Sequence, residues 1–135
     1  MKRIALALAL TFFVTAAVAQ TQPPYRPNSL ALDSGTKTAT ATAGAATLSK
    51  SAGVITSEAL STAAGATYTL TLTNTVVATA DQVLASVALG TATTGSPVIT
   101  TVKEGAGSVV IVVQNVHASA ALNGTIRIKF AVLKN

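Results

Sequence analysis

The chain has 135 residues, nine Lys and Arg against four Asp and Glu, and no Cys, so it suits one domain with appendages and excludes a disulfide-built scaffold. Half of it is hydrophobic, but only 4% is aromatic and 10% charged. Charged residues make up about a quarter of an ordinary soluble domain, so this surface suits a subunit that covers itself with its own copies, or a resident of a particle exterior.

Lys2 and Arg3, an apolar run from Ile4 to Val18, and Ala17-Val18-Ala19 before Gln20 form the pattern of a secretory signal peptide over residues 1–19, cleaved after Ala19. The run falls short of the ~20 residues that span a bilayer, so no stable membrane anchor is expected after cleavage, and the mature protein is expected outside the cytoplasm. Lys2 and Arg3 leave with the leader. The remaining cations, from Arg26 and Lys37 to Lys129 and Lys134, are scattered without interleaved aromatics, and no nucleic-acid partner is expected.

Residues 20–29 hold Pro23, Pro24 and Pro27. Proline lacks an N–H and pushes its predecessor toward extended backbone, so this reads as an extended arm. The β domain is expected over 30–135. Thr36, Thr38, Thr40 and Thr42 alternate with Lys37, Ala39, Ala41 and Ala43, which predicts a small, weakly apolar edge strand ended by Gly44. Ala46 to Lys50 and Gly53 to Leu60 read as a hairpin around Ser51-Ala52-Gly53. Tyr68, Leu70 and Leu72 against Thr67, Thr69, Thr71 and Thr73 give the clearest alternation in the chain.

Gln82 to Leu89 follows as a strand with Val83, Ala85, Val87 and Leu89 inward. Val98 to Val102 is expected to pair, through Lys103-Glu104-Gly105-Ala106-Gly107, with the strand Ser108 to Gln114. That strand, with five consecutive β-branched residues, is the expected centre of the fold. Val109, Ile111 and Val113 share one face and Val110 and Val112 the other, which fits a strand covered on both sides. Asn123-Gly124 marks a further turn. Thr125 to Leu133 closes the chain, with Ile126, Ile128, Phe130 and Val132 inward and Arg127 and Lys129 outward. Seven to eight such strands predict an antiparallel β-sandwich or jelly roll.

No residue set demands a reaction. His117 is the only histidine, and Ser119 beside it on the chain is not aimed at it; no Gly-x-Ser-x-Gly elbow occurs. Asp33, Glu58, Asp81 and Glu104 are widely separated and show no metal-loop spacing, so a two-carboxylate glycosidase is held only in reserve. Gly105-Ala106-Gly107 lies between strands and opens no helix, which argues against a phosphate loop. Asn123-Gly124-Thr125 matches a glycosylation sequon, but Asn-Gly serves a turn equally well and is read as one. Of the aromatics beyond the leader, Tyr25, Tyr68 and Phe130, the last is expected in the core, leaving little for a sugar platform. No catalytic, cofactor-binding or metal residues are assigned, and no cofactor is expected.

Leu32-Asp33-Ser34-Gly35 through Ala39 to Gly44, Ala46 to Lys50, Gly53 to Thr56, Ala66 to Asn74, Gly107 to Asn115 and Leu122 to Ile126 together resemble small β-sandwich proteins of tailed bacteriophages. Those proteins sit on virions as decoration, fibre or receptor-binding components. The resemblance covers about residues 30–135. It implies a structural role, self-association and no cofactor. The first reading is then a homo-oligomer (a trimer, for instance) that buries the charge-poor surface and meets other virion proteins or a host-surface glycan. One departure stands out: virion proteins assemble in the cytoplasm, whereas this chain opens with an export pattern. Either a phage gene carries a leader, or the fold serves an exported bacterial surface or periplasmic protein that binds glycan or mediates adhesion.

Overall fold

A computed structural model describes residues 37–135. The expected signal peptide, the Pro-rich arm and Asp33 lie outside the described residues. The described chain is all-β, with ten strands: β1 (Thr38–Thr40), β2 (Ala45–Thr47), β3 (Ala52–Thr56), β4 (Leu60–Thr62), β5 (Thr67–Thr73), β6 (Gln82–Leu89), β7 (Pro97–Gly105), β8 (Ser108–Asn115), β9 (Leu122–Gly124) and β10 (Ile126–Leu133). One four-stranded sheet has the order β1-β3-β10-β6 and a second the order β2-β5-β8-β7, while β4 and β9 form a short pair of their own. The inner faces of both large sheets meet in one hydrophobic cluster, a sandwich-like arrangement.

Periodicity explains the core. In β5 the Thr residues stay exposed while Tyr68, Leu70 and Leu72 are buried; in β10 Ile126, Ile128, Phe130 and Val132 are buried and Arg127 and Lys129 are not. Val109, Ile111 and Val113 of β8 are fully enclosed between β5 and β7, so the strand expected at the centre lies inside its sheet.

Several expectations are corrected. Ten strands replace seven or eight, and the sheets are mixed: β1 runs parallel to β3, and β2 parallel to β5. The hairpin around Ser51-Ala52-Gly53 does not form, because β2 and β3 belong to opposite sheets and residues 48–51 carry the chain across. Gly53 serves close approach instead. A Cβ there would meet a Leu48 methyl at 2.5 Å, the Lys37 carbonyl at 2.9 Å and the Phe130 ring at 3.1 Å. The expected Thr36–Ala43 strand shortens to β1; the chain then turns through Ala43 and Gly44, both at positive φ, from the edge of one sheet to the edge of the other.

The β7–β8 hairpin is tighter than its five-residue connection suggested. Gly105 pairs with Ser108, so only Ala106 and Gly107 form the turn, and Lys103 and Glu104 belong to β7. Asn123-Gly124 is not a hairpin turn: it lies in β9, where Asn123 pairs with Ser61. Gly124 at φ +81° breaks the extended run before β10, a conformation that only glycine takes readily. Leu89, expected inward, is 39% exposed at the end of β6. Val110 and Val112 are half-buried on the outer face of their sheet, because no third layer covers it among the described residues.

Candidate functional site

The three described acids are each held by the fold rather than gathered. Glu58, just beyond β3, accepts from the Gly44 N–H at 2.9 Å and from the Tyr68 hydroxyl at 3.0 Å, linking the two sheets. Burial first, and then the Glu58 carboxylate, push the Tyr68 phenol well above the ordinary range. Hydrogen bonds to a charged group contribute about 1.5–3 kcal/mol. Tyr68→Phe is therefore expected to lower unfolding free energy by roughly 2 kcal/mol in urea titration with an unchanged slope.

Asp81 receives the Lys134 ammonium at 2.7 Å and the Ala78 N–H at 2.8 Å, and Lys134 also reaches the Val76 carbonyl. The Lys134 hydrogen bond, helped by Ala78, holds the Asp81 carboxyl below its usual range. A depressed folded value means that the stabilisation is present above the ordinary value of about 4 and fades as pH falls through the lower folded value. Thermal melts from pH 6 downward are expected to show Tm declining below about pH 4, with a shallower decline in Asp81→Asn. Glu104 accepts from the Val83 N–H at 3.0 Å, joining β7 to β6 across the sheets.

His117 sits in the exposed loop after β8. Its Nδ1 accepts from the backbone N–H groups of Ser119 at 3.2 Å and Ala120 at 2.8 Å. The ring thus braces its own loop, and Ser119 meets it through main chain rather than hydroxyl. No group of three or more His, Cys, Asp or Glu gathers as a metal site among the described residues. Gly105-Ala106-Gly107 closes a hairpin. Asn123 is occupied: its Oδ1 accepts the Thr93 and Thr94 N–H groups, each at 3.0 Å.

Sequence reasoning missed the buried polar residues Ser57, Asn74 and Asn115, of which Asn115 has the widest set of partners. Asn115, at the end of β8, is fully enclosed. Its Oδ1 accepts from Ser96 at 2.9 Å and His117 at 3.2 Å, and its Nδ2 donates to the carbonyls of Thr62, Ala63 and Ala120. It pins the loops at one end of the sandwich. An Asn ending a long apolar strand was the available signal.

What remains for function is surface. On the first sheet, Arg127 and Lys129 face outward in the middle of β10, with Ala88 and Ser86 of β6 opposite them. An open depression of about 270 Å³ lies there, lined by Leu84, Ala85, Ser86, Lys129, Phe130 and Ala131. With one ammonium and one hydroxyl, it offers too few polar groups to orient a substrate for chemistry. On the second sheet, the four Thr of β5 stand beside Val110 and Val112, with Lys103 across from Val110. Among the described residues, neither outer face carries a free acid. No protein-family model, no curated protein and no solved structure matches the chain.

Proposed function

We propose that the protein is a non-enzymatic structural module that assembles with copies of itself, of the kind that decorates or extends phage virions. The observation that carries this reading is the surface. The three described acids are all engaged within the fold, and the outer sheet faces present hydroxyls, small aliphatics and a few cations. Such faces lose little solvation on burial and suit contact between copies.

The resemblance to phage β-sandwich proteins supports the same reading, and so does the order β3-β10-β6 over β5-β8-β7, which we read as an abbreviated jelly roll. The end of the sandwich pinned by Asn115 would stay free to touch other virion proteins or a host-surface glycan. On this reading the protein acts on the virion surface or outside the cell.

Light-scattering mass of the purified protein tests it. A discrete oligomer at micromolar concentration is expected. A monomer throughout that range overturns self-association and directs attention to glycan binding by an exported module.

A further inference from the structure

We propose that β6 is the edge at which two copies of this chain join, strand against strand, about a two-fold axis at Ser86; this rests on the self-association proposed above. The two large sheets end on four edges: β1 and β6, and β2 and β7. Proteins blunt exposed edges with shortness, proline, bulges or charge, because unpaired N–H and C=O groups invite another strand. Three edges here carry such devices. β1 and β2 have three residues each. β7 begins with Pro97, shifts register between Ile99 and Thr101, and contains Lys103.

β6 has none of them in its own sequence, and only its first outward N–H, that of Val83, is capped, by Glu104 of β7. It runs eight residues, Gln-Val-Leu-Ala-Ser-Val-Ala-Leu, without charge, proline or glycine, and its register against β10 is unbroken from Gln82 to Leu89.

Hydrogen-bond direction shows which groups are on offer. The Val83 N–H donates to Glu104 of the other sheet, so it points away from β10, whereas the Gly90 N–H donates to the Thr125 carbonyl on the β10 side. Backbone groups alternate along an antiparallel strand, so those of Ala85, Val87 and Leu89 point to the free edge with Val83. Outside the strand ladders, no hydrogen bond from these three N–H groups is found among the described residues. Leu84 beside them is 52% exposed.

A second copy fits this edge. Antiparallel pairing centred on Ser86 sets Ala85 and Val87 in hydrogen bonds with Val87 and Ala85 of the second copy. Leu84 then lies across from Ala88, large against small. β6 itself carries no charge, and the Glu104 carboxylate held at Val83 faces Leu89 of the second copy rather than a like charge. Lys129, one strand inward from Ser86, ends about 14 Å from its counterpart across three strand spacings, beyond the ~8 Å Debye length at physiological salt. The Pro-rich arm of the chain is a poor occupant, since Pro23, Pro24 and Pro27 have no N–H to give.

The full chain has no cysteine, so Ser86→Cys introduces a single thiol at the axis. Facing residues of this non-hydrogen-bonded pair have Cα atoms about 4.5 Å apart, within disulfide range. Mild oxidation is expected to turn Ser86→Cys into a covalent dimer that dithiothreitol reverses, much faster than a Thr69→Cys control on the second sheet. Val87→Pro removes an outward N–H and leaves the β10 ladder intact, and is expected to halve the light-scattering mass while cooperative melting persists.

If the wild-type chain is oligomeric, but Val87→Pro keeps its mass and Ser86→Cys crosslinks no faster than the control, the edge is wrong and self-association stands. A strictly trimeric mass has the same meaning, because a two-fold contact closes at two copies. A monomeric wild type with no crosslinking overturns both. Should Val87→Pro fail to fold, the crosslinking comparison decides alone.

Discussion

Ile111→Asp is expected to abolish folding. Ile111 is 0% exposed, lies between Leu70 of β5 and Val102 of β7, and faces the common core. Among the described residues no cation faces this core to pair with a new carboxylate, since Arg127 and Lys129 point outward from the other sheet. An unpaired buried carboxylate costs several kcal/mol, against a total stability of about 5–15 kcal/mol for a domain. The expected result is insoluble protein, or soluble protein without a cooperative thermal transition by circular dichroism.

Val110→Asp, one residue away on the half-buried outer face, is the matched comparison. It forfeits strand preference and some packing, an effect of about 1 kcal/mol, and should still melt cooperatively. A folded Ile111→Asp would take that face out of the core and undo the assignment of β8 as the centre of the fold.

Asn115→Leu is expected to be the most damaging polar-to-apolar change among the described residues. Leucine has similar bulk but leaves the Ser96 and His117 N–H groups and the Thr62, Ala63 and Ala120 carbonyls without their shared partner. A buried polar group left unsatisfied costs about 1–3 kcal/mol. Some of these five will find water as the loops relax, so a loss of roughly 3 kcal/mol or more is expected. That corresponds to a Tm lower by about 15 °C or more for a domain of this size.

Asn115→Asp separates the two halves of the network. It keeps an acceptor for Ser96 and His117 but turns a carboxylate toward three carbonyls, and should be no better than leucine near neutral pH. Urea titration of the three proteins settles the ranking. Near-wild-type stability for Asn115→Leu would mean that the loops hold themselves.

Both expectations bear on function through the same architecture. A sandwich whose three described acids are engaged internally, and whose loop end is pinned by one asparagine, offers a fixed surface to the copies with which it is proposed to assemble. That is the behaviour an assembling subunit needs.

Side-chain period and β-branching lie in the sequence itself. The alternation of Tyr68, Leu70 and Leu72 with threonines, the inward set of β10 and the extent of β6 were all legible, because a pleated strand turns successive residues to opposite faces whatever its neighbours are. The all-β class followed from the same local rule.

Pairing is not local. Ala46 to Lys50 and Gly53 to Leu60 look like a hairpin until the chain is seen to cross between sheets, and no spacing announces the parallel partners of β1 and β2. Asn123-Gly124 has the composition of a turn, yet β4 captures it as a strand, since a tertiary pairing outweighs a two-residue preference. Asn115 gains its role only when two distant segments, at Thr62-Ala63 and at Ser96, converge on it.

The uncharged character of Gln82–Leu89 was visible from the start, but a strand becomes an edge only by what is missing beside it. The sequence determined which residues turn inward, through properties that each residue carries alone. The tertiary structure decided which strands meet and which edge is left open, because those depend on partners far away along the chain.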